Sequence, residues 1–133
     1  MKFSSLQEMI EDYERITGER TDISSYYWKD DCRNDEGRHL KYFPNIGFLF
    51  WDLIEHEGVL YFRMLETYGK VSGMVEYIKS VMDLNGCKDI LTYTTRNPKA
   101  HIRKWKMIHH QELDYEHEGR IYHVLTGTID NLH

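Results

Sequence analysis

The run IGFLFWDLI, residues 46–54, is apolar on both faces of an extended chain. A strand of that kind has to lie inside a sheet covered on both sides, which calls for helices above and below it. A second β-rich run, VLYFRMLET (59–67), follows EHEG (55–58), a short loop whose Gly58 can take the positive φ that a tight hairpin requires. A helix comes next: Met74, Val75, Ile78, Val81 and Met82 form one apolar stripe, and Asn85-Gly86 stops it. ILTYTT (90–95) reads as another buried strand. NPKAHIRKWKMIHH (97–110) reads as a helix with Asn97 as cap and Pro98 at its first position. QELDYEHEGRIYHVLTGTI (111–129) closes the chain with a second hairpin, turning again on EHEG (116–119).

Upstream, Leu6, Met9, Ile10, Tyr13 and Ile16 recur at helical steps, with Ser4 or Ser5 to cap the start and Gly18 to end it. Residues 19–45 mix turn formers and charges, with a short helix expected near 24–32 and a strand near 39–43. The order is helix, mixed segment, hairpin, helix, strand, helix, hairpin. No low-complexity stretch or linker divides it, so 133 residues are expected to form a single α/β (α+β) domain.

Composition narrows the function classes. No apolar run approaches the ~20 residues of a spanning helix, so no membrane role is expected. The N-terminus turns acidic early and lacks the apolar middle of a secretion signal, and Cys32 and Cys87 lie far apart without metal or redox spacing. A reduced, cytoplasmic protein is the expectation. Net charge is −5, and only NPKAHIRKWK (97–106) concentrates positive charge, so nucleic acid is not an expected partner.

The junction YGKVSGM (68–74) carries the chemistry. Backbone N–H groups at a helix start have no helical partner, the helix dipole adds positive charge, and a glycine permits close approach of an anion. Lys70 adds a full charge, and Ser72 can cap or donate. A strand-to-helix turn that needs Gly and Ser for geometry alone is the plainer alternative.

In context, the junction resembles the phosphate loop Q/R-x-x-G-x-G/A of the GNAT (Gcn5-related) N-acetyltransferase family. Lys70-Val71-Ser72-Gly73-Met74-Val75 matches it with Lys for Gln/Arg and Val75 where Gly or Ala is usual. Asn97-Pro98-Lys99-Ala100 and Trp105 are similar to that family's later N-x-x-A and aromatic pattern. The resemblance covers residues 46–129 and implies a GNAT-like mixed, mostly antiparallel sheet flanked by helices. Residues 46–129 would be the cofactor-binding core, and 1–45 the N-terminal helices and acceptor side. Acetyl-CoA would be the cofactor, its pyrophosphate held around Lys70, Val71, Ser72, Gly73 and Met74 and its pantetheine arm along Leu65–Thr67. Asn97 would face it, Lys99 or Arg103 would reach its phosphates, and Trp105 would stand where many members carry a proton-donating tyrosine. Glu66 is the first candidate for the base that takes the amine proton, followed by Asp52 and Glu55.

The implied activity is direct acetyl transfer to a small-molecule or protein amine. Val75, the indole of Trp105 and the short Met1–Phe3 before the first helix, which leaves little room for the family's first strand, favour the alternative: a GNAT-fold scaffold without catalysis, binding or virion-associated. The compact form resembles GNAT-like proteins of bacterial viruses. The sequence leaves oligomeric state open, a homodimer included. No metal is expected: His109 and His110 are adjacent on the anticipated helix, and within that helix no acidic residue at helical spacing completes a ligand set with His101 and His109. Cys87 reads as a packing residue. SYYW (25–28) is a candidate acceptor surface, while most of FLFW (48–51) reads as core.

Overall fold

The structure, a computed structural model, describes residues 5–18, 32–33 and 37–131. The helix expected near 24–32 and the aromatic SYYW (25–28) lie outside the described residues, apart from position 32.

Helix α1 (Leu6–Thr17) starts at Ser5, whose hydroxyl accepts the Glu8 N–H at 3.1 Å, and ends at Gly18 with φ 73°. Strands β1 (Cys32–Arg33), β2 (His39–Phe43), β3 (Gly47–His56) and β4 (Val59–Gly69) follow as an antiparallel series. A 3-10 turn at Val71–Gly73 leads into α2 (Val75–Asn85), then β5 (Asp89–Thr94), α3 (Lys99–Trp105), β6 (Ile108–His109), β7 (Tyr115–His117) and β8 (Arg120–Thr128). The sheet runs in the order β1-β2-β3-β4-β5-β8-β6, with β7 paired to the outer part of β8. Among the described residues, only the β4–β5 pairing is parallel. The architecture is the expected one: a mixed, mostly antiparallel sheet flanked by helices in one α/β domain. Among the described residues, no helix is long and apolar enough to cross a membrane.

Both faces of β3 are covered, as its composition requires. Phe48 and Phe50 pack with Leu40 against Leu6, Met9, Ile10 and Tyr13 of α1. Leu49 and Trp51 point the other way, where Phe62, Met64 and Ile90 meet Val75, Ile78 and Met82 of α2. Phe48 and Phe62 are fully buried, each contributing about 2 kcal/mol of transfer free energy. Cys87 belongs to this second core, its thiol's pKa raised by burial.

Two boundaries differ from expectation. Glu55 and His56 extend β3, so the turn is only Glu57-Gly58, both with positive φ (51° and 81°); Glu118-Gly119 repeats it (52° and 77°). That is a two-residue mirror-image turn whose twist matches the strands. Helix α3 also stops at Trp105 rather than continuing to His110. Lys106 turns left-handed (φ 56°), and Ile108–His109 join the free edge of β8. Strand pairing there satisfies backbone groups that a longer helix would have bonded internally.

Candidate functional site

Strands β4 and β5 share a short parallel ladder, Tyr61↔Asp89 to Met64↔Thr92, and then diverge. The Thr92 hydroxyl donates to the Met64 carbonyl at 2.9 Å and closes the last rung. Beyond it the β5-side edge of Leu65–Thr67 has no strand partner among the described residues.

The divergence starts at a β-bulge. Phe50 pairs with Glu66 and Trp51 with Met64, leaving Leu65 as the extra residue. One extra residue reverses which face every later side chain points to. Phe62 and Met64 therefore face α2, whereas Glu66 and Tyr68 face α1. Tyr13 donates its phenolic hydrogen bond to Glu66, and Tyr68 donates to Asp12 at 2.7 Å. Burial foremost, then the charge and hydrogen bond of Glu66, raise the Tyr13 pKa, so this phenol stays protonated. The Arg96 guanidinium lies over the Tyr13 ring, 5.6 Å from its centre.

Between the separated strands lies a cavity of about 120 Å³ bordered by Glu66, Thr67, Thr94, Arg96 and His101. Thr67, Arg96 and His101 also border a cleft of about 80 Å³ that continues past Gly69 and Val71 to Lys104 and Trp105. Gly69, Val71 and Lys104 in turn border a wider cleft of about 410 Å³ flanked by Lys70, Ser72, Arg103 and Lys106. The shared walls make one groove from Glu66 to a mouth carrying four cationic side chains. On the other side of Glu66, a cavity of about 220 Å³ is walled by Arg38, Phe50, Tyr93, Tyr115 and Tyr122. Leu65, Glu66, Tyr93 and Tyr122 border both that cavity and the innermost part of the groove.

His101 is buried where the first two parts of the groove meet, and among the described residues its Nδ1 has no hydrogen-bond partner. Burial chiefly, helped by the charges of Arg96 and Lys104, lowers its pKa to about 4. The ring is neutral at physiological pH, and its Nδ1 is a buried polar atom beside the groove.

The anticipated residues divide accordingly. Leu65, Glu66, Thr67, Lys70, Val71, Ser72 and Arg103 border the groove, and Trp105 lines it from within the core. The reasoning for Gly73 and Met74 needs correction. Their N–H groups donate to the Lys70 and Val71 carbonyls at 3.1 and 2.8 Å, closing the 3-10 turn, so they are not the unpartnered donors expected of a helix start. An added Cβ at Gly73 would sit 2.7 Å from Ile46 Cγ2, and Met74, a core residue, lines the groove beside Trp105. Val75 points into the core rather than into the groove. Asn97 uses its side-chain oxygen to accept the Lys99 N–H at 3.0 Å, and Lys99 is exposed; Lys104 and Lys106 stand at the mouth instead.

Neither alternative carboxylate meets the groove. Asp52 is buried in a bidentate pair with Arg63, at 2.9 and 2.6 Å. Glu55 is exposed opposite Leu60, about 17 Å along β4 from Leu65. The residues that sequence reasoning missed are Arg96, His101, Tyr93 and Tyr122, and the role of Tyr13, which read only as part of an apolar stripe. Nothing in local spacing marks them, because the fork between two strands brings them together.

No protein-family model matches the chain, and no curated protein matches it. Among solved structures, the chain is similar to one in the crystal structure of the NatC complex bound to Gag peptide and CoA. Identity is 16%, the TM-score is 0.47, and the match covers 65% of this chain and 64% of that one. The chain thus spans less than two-thirds of that neighbour's length.

Proposed function

We propose that this chain binds an acyl-CoA, acetyl-CoA foremost, along the groove and transfers the acetyl group directly to an amine. The observation that carries the reading is the continuity of the groove from the β4–β5 fork to a mouth bearing Lys70, Arg103, Lys104 and Lys106. The residues fit the group: an extended arm needs an unpaired strand edge, here Leu65–Thr67, and a diphosphate needs cations. His101 Nδ1 supplies a buried polar atom along the way. Because the Gly73 and Met74 amides close their own turn, the anion would be held by the side chains at the mouth, with Ser72 as a hydroxyl donor.

When bound, the thioester supplies an activated acyl carbonyl. Glu66, bordering both the groove and the aromatic-walled cavity, takes the proton from an amine entering from that cavity, directly or through one water. Tyr13 holds the carboxylate in place by its hydrogen bond. Trp105 has no acidic proton, so the phenols bordering both spaces, Tyr93 and Tyr122, return a proton to the leaving thiolate.

The occupied amides of Gly73 and Met74 favour a second reading, a scaffold of this shape without transfer activity. A thermal-shift titration with acetyl-CoA and CoA decides first: a specific ligand raises the melting temperature with concentration. No rise at millimolar cofactor overturns the transferase reading. If the melting temperature rises, Lys104→Ala and Arg103→Ala should each weaken binding several-fold, about 1 kcal/mol. Thiol release in the presence of an amine panel then separates transferase from scaffold.

A further inference from the structure

A second cluster of chemistry-bearing side chains lies outside the groove, on the β6–β7 edge. His109 ends β6, Asp114 follows the 3-10 turn Gln111–Leu113, and His123 lies on β8. His109 Nε2 stands 3.0 Å from both Asp114 oxygens, and His123 Nδ1 stands 2.8 Å from Asp114 Oδ2. One ligand atom from each residue lies within 4.8 Å of the others. The expectation against a metal assumed that His109 lay on a helix; in the strand it meets an acid and a second imidazole instead.

We propose that His109 Nε2, Asp114 and His123 Nδ1 form a binding site for a divalent transition-metal cation of the zinc class. Two imidazoles and one carboxylate are a borderline-soft donor set that suits zinc, with a fourth position open to water. Zinc holds such donors at about 2.0 Å, so tetrahedral ligands stand roughly 3.3 Å apart. The Asp114–histidine separations need to widen by only a few tenths of an ångström. The side chains are 15–26% exposed, sheltered but reachable by an ion.

The surroundings support coordination. Asp114 Oδ1 accepts the Val124 N–H at 3.1 Å, which orients the carboxylate as an outer-shell partner does. The adjacent His110 is engaged with the Thr126 hydroxyl at 2.6 Å, so the site is built from two histidines rather than three. The cluster bridges a break in pairing: β6 meets β8 only at Ile108↔Thr126 and His109↔Leu125, and β7 resumes at Tyr115↔Tyr122. A bound ion would pin the intervening turn to β8. His123 follows Tyr122 in a strand and so faces the opposite side from it. The role this gives the ion is structural, tying the turn Gln111–Leu113 to β8.

The competing explanation is a metal-free clamp in which both rings donate to Asp114. Titrating the chelator-treated full chain with Co²⁺ and then Zn²⁺ separates the two. We expect one saturable equivalent, the intense visible absorption of four-coordinate Co²⁺, displacement by Zn²⁺, and a melting temperature that rises with Zn²⁺. Ring resonances of His109 and His123 should broaden first under Co²⁺, a test that needs no variant. His109→Gln and His123→Gln should each weaken binding at least about tenfold, the loss seen even for outer-shell partners. The exposed His56→Gln and His117→Gln should leave it unchanged. No saturable equivalent, ring broadening centred on other histidines, or undiminished binding in both site variants would overturn the proposal.

Discussion

Tyr13 of the first helix donates its hydroxyl to Glu66 of β4, joining residues 53 positions apart across the α1 face of the sheet. The bond exists because the bulge at Leu65 turns Glu66 toward α1. Removing the donor leaves a part-buried carboxylate short of a partner, so Tyr13→Phe should cost roughly 1–3 kcal/mol in urea unfolding. Glu66→Gln keeps an acceptor for Tyr13 and should fold normally. In an acetyl-transfer assay it should lower kcat while leaving CoA affinity unchanged; an unaltered kcat would remove Glu66 as the base.

Asp52, buried on β3, pairs with the half-buried Arg63 of β4. Asp52→Ala strands the guanidinium, which is only 21% exposed, and should destabilise by about 3 kcal/mol. At a temperature where the variant remains folded, acyl transfer should persist, because Asp52 faces Arg63 and not the groove. Equilibrium unfolding and single-turnover rates on the same preparation check both halves.

Gly73 and Ile46 test why the loop carries its glycine. Gly73→Ala should cost about 1–3 kcal/mol through the clash with Ile46 Cγ2. In an Ile46→Ala background the same substitution should cost much less, giving a clear coupling in a double-mutant cycle. Equal costs in the two backgrounds would mean the glycine answers to something other than packing.

His101 predicts a pH dependence. Its folded pKa of about 4 lies below the ordinary 6.5, so between those values the unfolded chain binds a proton that the folded chain does not. Stability is therefore retained above pH 6.5 and lost as pH falls toward 4, by up to about 3 kcal/mol from this one ring. His101→Gln should flatten that part of the profile, as read from urea midpoints at pH 7 and pH 5. Parallel profiles for the two proteins would contradict the burial of a neutral ring.

Most of the layering was legible because it rests on local periodicity. The double-faced apolar character of 46–54 required a covered central strand, and the α2 stripe from Val75 to Met82 packs as its spacing demands. Glu57-Gly58 and Glu118-Gly119 were legible as turns, although their two-residue length was not, since Glu-His before each can extend a strand equally well. The end of α3 was misread for a related reason. KWKMIHH has nothing against helix in its own composition, and only the vacant edge of β8 draws Ile108 and His109 into a strand.

The linear chain therefore determined the elements, their order and the apolar faces by which they stack, because those depend on neighbours three or four residues away. It also placed Lys70 and Ser72 at a strand-to-helix junction and gathered positive charge at 97–106. Tertiary structure alone decided which carboxylate faces the fork. A single inserted residue at Leu65 reverses the side-chain faces that follow, and a bulge is a property of paired strands with no signature in either one. The same holds for His101, made neutral by burial between elements, and for His109, Asp114 and His123, gathered where one strand edge is interrupted. Alternation and burial are set by partners, and partners are chosen only when the sheet assembles.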